Sequence, residues 1–295
     1  MNIVWQKELL GAVEKELESC LQSGGSLQEK VYEAMRYSLL NGGKRVRALL
    51  TLEFCKISGG TVEMALPFAC AVEMVHAYSL IHDDLPCMDN ADVRRGHPAN
   101  HKVFGEDMAV LAGDGLLSSA FETMLSADTV ALVGAARAAK AAFLLAKASG
   151  PAGMVGGQTL DLAAEGRKLP LEELEILDSY KTGALIRAAA EMGCVAGGAG
   201  EELLSAAREY AEALGLAFQI EDDILDVAGS AEETGKNTGN DAANEKCTYV
   251  SLLGLDSARQ EVDRLTEKAV SALKPYGEKA QNLIDLAVQL AKRGA

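Results

Sequence analysis

The sequence predicts an all-α protein, a single large helical bundle, and three observations lead there. Alanine and leucine are abundant and runs of β-branched residues are short, which favours helix over sheet. Apolar residues recur at three- to four-residue spacing along most of the chain. Glycine and proline punctuate these stretches at intervals suited to helices, and nothing reads as a confident strand. With 48% apolar residues in 295, the chain has enough material for one sizeable core. It shows no 20–50-residue repeat and no dividing linker, so residues 1–295 are expected to form a single domain.

The elements follow in order. Residues 5–21 place Leu9, Leu10, Val13, Leu17 and Leu21 on one face, and Ser23-Gly24-Gly25-Ser26 ends that helix with Ser26 as the next N-cap. A second helix spans 27–40 and stops at Asn41-Gly42-Gly43. A third, 45–58, closes at Gly59-Gly60. The apolar run 69–81 forms the fourth, ending near Asp84 because Pro86 can neither donate a helical hydrogen bond nor avoid the preceding turn. Beyond a loop holding Arg94-Arg95-Gly96, two helices fit 104–126 and 128–147. Gly150-Pro151 is a break, 154–164 a shorter helix, and 171–194 a longer one with Pro170 suited to its first turn. A long helix runs from 201 to 227. Residues 229–246 read as a polar loop, and the remainder is helical except at Pro275-Tyr276-Gly277.

Composition narrows the function. The formal charge of −15 has the wrong sign for nucleic acid or an anionic membrane, so binding of anionic phosphates would need bridging cations and local basic pockets. Six scattered cysteines, Cys20, Cys55, Cys70, Cys87, Cys194 and Cys247, suggest neither a zinc knuckle nor a disulfide scaffold. Residues 1–10 contain Lys7 and Glu8 and lack the apolar core of a secretory signal. The apolar stretch 130–148 is interrupted by Arg137, Lys140 and Lys147, which argues against a membrane span there. A soluble, reduced, cytoplasmic protein is expected.

Two acidic clusters carry the chemistry. Asp83 and Asp84 fall on the last turn of the fourth helix and Asp89 in the connection after it. Carboxylates there face the negative end of the helix dipole, which is unfavourable without a compensating cation. In the long helix, Gln219-Ile220-Glu221-Asp222-Asp223-Ile224-Leu225-Asp226 places Asp222 and Asp226 nearly in line, with Asp223 close by. Phe218, Ile220, Ile224 and Leu225 mark this helix as buried, and buried carboxylates need a cation or a base. Two such clusters on separate helices suggest a cavity with acids on facing walls. Magnesium, which favours few carboxylates, several waters and phosphate oxygens, suits it better than zinc, since no cysteine or histidine set accompanies the acids. Basic groups stand near both clusters: Gly42-Gly43-Lys44-Arg45-Val46-Arg47 at a helix start, Arg94-Arg95-Gly96, and Gly235-Lys236 with Lys246.

These motifs, together with His76, Asp83-Asp84-Leu85-Pro86-Cys87-Met88-Asp89, Gly156-Gly157-Gln158 and Lys181-Thr182, resemble those of the trans-polyprenyl diphosphate synthases, the bacterial farnesyl diphosphate synthases among them, over nearly the whole chain. The resemblance implies an all-α isoprenoid-synthase bundle around a deep central cavity and a homodimer. It implies three Mg2+ ions, held by Asp83, Asp84 and Asp89 on one wall and by Asp222, with Asp223 and Asp226, on the other. Isopentenyl diphosphate would be gripped by Lys44, Arg47, His76 and Arg95. The allylic diphosphate, dimethylallyl or geranyl, would be held by Arg94, Lys181, Thr182, Gln219, Lys236 and Lys246. Ionisation of the allylic substrate, attack by the isopentenyl double bond and loss of a proton to the released diphosphate would then give farnesyl diphosphate without a protein base.

Tyr78, five residues before Asp83 and about 7.5 Å down the helix at the usual rise per residue, could stop elongation. Tyr78-Ser79 resembles the bacterial farnesyl synthases, whereas the Pro-Cys-Met-Asp wording also resembles some geranylgeranyl synthases. Ala48, Ala91 and Asn240 depart from the family's usual Pro, Asp and Lys. Three other readings compare poorly. His82-Asp83 is the dipeptide of all-α metal phosphohydrolases, but no histidine precedes His76 to complete such a site. A non-catalytic subunit would not be expected to keep both acidic clusters, and a terpene cyclase would have no use for a second diphosphate site at Lys44, Arg47 and His76.

Overall fold

A computed structural model describes residues 4–25, 27–228 and 247–292. Helix α1 (Val4–Cys20) turns Leu9, Val13 and Leu17 into the core, and Leu21 follows them inward. Ser26 lies outside the described residues, and the second helix, α2 (Glu29–Leu40), has Gln28 at its N-cap without a side-chain cap. Helix α3 (Val46–Ile57) is buried along almost its whole length. Helix α4 (Val62–Asp83) starts seven residues before the predicted apolar run, because Thr61 caps it by accepting the Met64 N–H at 3.4 Å and Pro67 is absorbed in its second turn.

Past α4 the sequence expected only loop, yet Val93–Arg94 and His97–Pro98 pair as a two-residue antiparallel ribbon, β1 and β2. Arg95 and Gly96 form its turn with φ of 53° and 77°, the left-handed pair that a tight hairpin requires. Next come α5 (Asn100–Phe104), α6 (Glu106–Leu125), α7 (Ala127–Val133) and α8 (Ala135–Ser149). The single helix expected over 128–147 is split at Gly134, which takes φ 88° and closes α7 by donating to Val130. Helix α9 (Met154–Ala164) matches its predicted bounds.

The helix expected over 171–194 is three pieces: α10 (Leu171–Asp178), a π-helical turn (Ser179–Gly183) and α11 (Ala184–Gly197). Pro170 lies just before this run as the N-cap. Helix α12 (Glu201–Ala228) carries the second acidic cluster. The predicted loop 229–246 lies outside the described residues, and with it Lys236, Asn240 and Lys246. Helix α13 (Tyr249–Leu253) opens on a capping box between Thr248 and Ser251. Helices α14 (Leu255–Leu273) and α15 (Gln281–Ala291) are joined by a 3-10 turn (Lys274–Ala280), where Gly277 breaks the helical backbone as expected.

The bundle is arranged around α4, which packs against α3, α6 and α11. Among the described residues α4 is long and apolar enough to cross a bilayer, as is the bent pair α6 and α7 taken together, but two thirds of the apolar window of α4 is buried among its neighbours. Its C-terminal end carries Asp83 and Asp84.

One internal ion network fixes the start of α3. Arg45 takes a left-handed φ of 47° and turns inward, away from the anion site its sequence position suggested. Its guanidinium donates to Glu14 at 2.7 Å and to the Leu39 carbonyl at 2.5 Å, and stands 3.5 Å from Glu73. Glu73 also accepts the Ala48 N–H at 3.1 Å, a donor that a proline at this position could not supply. Because Glu73 and Arg45 are both buried, Arg45→Ala should cost about 3–5 kcal/mol of stability by stranding a buried carboxylate. Urea denaturation checks this, and a loss below about 1 kcal/mol, the level of an exposed pair, would contradict it.

Candidate functional site

A cavity of about 360 Å³ opens between the C-terminal half of α4, helix α9 and the π-helical turn, with Arg47 of α3 at one end. Its walls combine apolar residues, Leu80, Met88, Met154, Val155 and Leu162, with Asp83, His76, Gln158, Lys181 and Thr182. Tyr78 and Ser79 also line it. Of the acids singled out in the sequence, Asp83 is the one in this lining.

On the first wall, the chain folds back after Leu85 so that the Asp89 N–H donates to the Asp83 carbonyl at 2.8 Å. That bond brings Asp83 and the exposed Asp89 to the same rim. Asp83 is half-buried, and burial, reinforced by Asp89 and Asp84 against the pull of Lys181 and Arg94, raises its pKa to about 6. Asp84 differs from the expectation of a metal ligand: only 2% exposed, it is engaged by Arg94, whose Nε donates to it at 2.9 Å. Arg94 is therefore held against its own wall rather than extended toward a diphosphate.

Helix α12 carries Gln219 and Asp222, with Asp226 one turn on; both aspartates are half-buried, and none of the three is among the residues that line this cavity. Asp222 acts electrostatically on Arg47. Asp223, also expected to bind metal, is buried and accepts the Tyr249 N–H at 2.8 Å, tying α12 to the start of α13. The reason is angular: one residue around the helix from Asp222, Asp223 faces a different neighbour.

The π-helical turn positions Lys181 and Thr182. Thr182 donates to Gln219 at 3.1 Å, and Lys181 Nζ lies 2.5 Å from Asp161 on α9. Burial opposes the lysine's charge, but Asp161, Asp83 and Asp89 together more than compensate, so its pKa stays raised. Gly157 explains the glycine pair on α9: a Cβ there would lie 2.2 Å from the Lys181 backbone nitrogen, so only glycine lets α9 approach the turn.

Of the four groups expected to hold a second anion, Arg47 and His76 line the cavity, and Arg95 and Lys44 lie outside its lining. Arg95 donates to the Gly42 carbonyl at 2.6 Å and covers Gly43, where a Cβ would meet its guanidinium at 2.9 Å. Lys44 is exposed beside them. Arg47 and His76 lie deeper; burial, with Arg95 close by, lowers the arginine's pKa, and burial plus the nearby arginines hold His76 neutral, well below the usual histidine range. Arg47 Nε and Gln158 Nε2 are buried donors with no acceptor. Such atoms are costly unless an oxygen-bearing ligand meets them.

Sequence reasoning missed Asp161, Asp178 and Tyr249. Asp161 follows Gln158 by one helical turn, and that spacing is its one signal in the sequence. Asp178 ends α10 beside Lys181 and Asp161, and only the three-dimensional packing reveals its burial. Among the described residues no three acids, histidines or cysteines stand close enough to form a ready-made metal cage.

The family model for polyprenyl synthetase matches residues 28–286, and the chain belongs to this family. Similar relatives include the large subunit 1 of the heterodimeric geranylgeranyl pyrophosphate synthase from Arabidopsis thaliana, 47% identical over 94% of this chain and 76% of that one. A dimethylallyltranstransferase from Fischerella ambigua is also 47% identical, over 95% of this chain and 80% of its own length. Among solved structures, an FPP/GFPP synthase from Zymomonas mobilis superposes with a TM-score of 0.87 at 35% identity, covering 97% of both chains. The bundle is thus an isoprenoid-synthase fold, and the protein is a trans-prenyltransferase acting on isoprenyl diphosphates.

Burial, helped by Asp161 and opposed by Tyr249 and Lys181, raises the Asp178 pKa to about 7. An acid whose folded pKa lies above its unfolded value destabilises the fold at high pH, and the penalty disappears as pH falls through the folded pKa toward the unfolded one. Asp178→Asn should therefore stabilise the protein above pH 7 and give no gain near pH 4. Thermal melts across this range check the crossover; a constant difference at all pH values would contradict it.

Proposed function

We propose that the chain elongates allylic diphosphates with isopentenyl diphosphate, ending at farnesyl diphosphate. The observation that carries this reading is the pair of buried, acceptor-less donors, Arg47 Nε and Gln158 Nε2, in a cavity that also presents Asp83 and Lys181. Donors without acceptors suit phosphate oxygens, and the carboxylates suit the cations that accompany them.

The donor set fits magnesium. All the candidate ligands are hard oxygens, and their failure to form a closed cage matches an ion that keeps waters and takes phosphate oxygens from its substrate. Asp83 and Asp89 at the end of α4, and Asp222 with Asp226 on α12, would hold it; Asp84 and Asp223, engaged by Arg94 and Tyr249, would support those segments. Bound magnesium would neutralise charge on the departing diphosphate.

The chain's own residues account for the rest. Lys181, Thr182 and Gln219 orient the allylic diphosphate, with Lys236 and Lys246 as further cations from outside the described residues. Lys44, Arg47, Arg95 and neutral His76 hold isopentenyl diphosphate, His76 as a hydrogen-bonding group and not a charge. When the allylic carbon–oxygen bond breaks, its electron pair leaves with the diphosphate. The isopentenyl double bond then supplies the electrons of the new carbon–carbon bond, and the proton released in restoring a double bond passes to the free diphosphate. Leu80, Met88, Met154 and Leu162 keep water from the allylic cation.

Tyr78 supports a fifteen-carbon end point, since its ring is 7% exposed and lines the cavity below Asp83. A twenty-carbon product is the second reading, favoured by the names of relatives such as the geranylgeranyl pyrophosphate synthase of Catharanthus roseus, 48% identical over 90% of this chain. We include a homodimer and a cytoplasmic location in the same proposal.

Incubation with isopentenyl and geranyl diphosphates, followed by chromatography of the dephosphorylated products, should yield farnesol with magnesium and none with chelator. Absence of any prenyl alcohol under both conditions would end the proposal. In the same assay Tyr78→Ala should shift the main product to twenty carbons or more, and an unchanged carbon number would remove Tyr78 as the floor.

A further inference from the structure

A floor stops a growing chain only if it cannot swing aside. Tyr78 has two rotatable side-chain bonds, and it lines the cavity. What holds the ring is therefore part of the specificity, and among the side chains packed on this buried tyrosine one is itself a ring. His82, one helical turn further along α4, meets Tyr78 edge to face with ring centres 5.7 Å apart and an interplanar angle of 78°.

His82 is itself fixed by α6. Its Nε2 lies 3.2 Å from the Val110 carbonyl, and because a carbonyl can only accept, the hydrogen of that contact belongs to Nε2. The ring also presses onto Gly113, where a Cβ would lie 2.1 Å from Nε2. A methyl group there could be accommodated only by moving the imidazole, so Gly113 is the slot into which His82 fits. Helix α6 thus anchors His82, and His82 braces Tyr78.

We propose that His82 is a positioning residue for product length, acting through Tyr78. The proposal rests on the reading of Tyr78 as the floor. It assigns His82, which lines the cavity beside Asp83, no part in binding diphosphate or metal, and it gives a reason for the contact of its Nε2 with α6. Loss of the brace lets the tyrosine ring rotate away from the chain terminus, so a product that should have been released re-enters elongation.

The test compares product ratios, not total turnover, for the parent, His82→Ala, His82→Gln and Tyr78→Ala. Each is incubated with geranyl and excess isopentenyl diphosphate in magnesium, with thermal melting as the check on folding. His82→Ala is expected to raise the ratio of twenty- to fifteen-carbon product by about tenfold, equivalent to about 1.4 kcal/mol between stopping and continuing. His82→Gln, which keeps an N–H donor for Val110 and a flat group beside Tyr78, should remain near the parent ratio. Should His82→Ala fail to melt cooperatively, His82→Leu preserves bulk without the donor and should shift the ratio in the same direction. An unchanged ratio in the Ala or Leu variant, or equal shifts in Ala and Gln, overturns the brace. If Tyr78→Ala also leaves the ratio unchanged, the floor itself is wrong, so the two failures are distinguishable.

Discussion

Like charges have to be held together beside an apolar chamber, and most of the architecture answers that constraint. Helix α4 is at once an element packed on three sides, by α3, α6 and α11, and the carrier of Asp83 and Asp84 at its unfavourable end. Its neighbours supply the compensation: Arg94 returns from the ribbon to Asp84, and Lys181 comes from the π-helical turn within electrostatic reach of Asp83. At the other end of the cavity the problem has the opposite sign. Arg47 and Arg95 crowd one another near neutral His76, with Asp222 and Glu73 as the acids that offset them. The result is a chamber with separated regions of negative and positive character, and apolar residues between them.

Much of this was legible in the sequence because its signals are local. The bundle followed from periodicity, and the bounds of α9 and the end of α4 followed from proline and glycine. Asp83, Arg47, His76, Lys181 and Thr182 do line one cavity. What could not be read was which acids face the cavity and which face other side chains. Asp84 follows the cavity-lining Asp83 and Asp223 follows the half-buried Asp222, yet a rotation of one residue around a helix turns each toward a structural partner. Arg45 likewise belongs to a run of cations, but its left-handed backbone sends it into the core. Such choices depend on neighbours distant in sequence: Glu14 for Arg45, Tyr249 for Asp223.

The same distance dependence explains the missed residues. Asp161 has no unusual local context, and its significance arises only because Gly157 lets α9 touch the turn that carries Lys181. The glycines were noticed as a motif, but their physical purpose, admission of a neighbouring backbone, required the neighbour to be known. Ala48 is a similar case: its backbone N–H matters through Glu73, a residue one helix away.

The π-helical turn at Ser179–Gly183 has a consequence for how the two ends of its helix can vary. An α-helix advances about 100° per residue, so in an unbroken helix the face turned to α9 would dictate the face turned to α3. An inserted residue resets that phase. Lys181 and Thr182 can then be aimed at the cavity independently of the packing of Leu185, Ala189 and Met192 in the core. The turn acts as a phase adjuster, uncoupling the tuning of the chamber from the tuning of the bundle. Substitutions that refine the one need not unsettle the other, whereas a one-residue deletion here would put both out of register together.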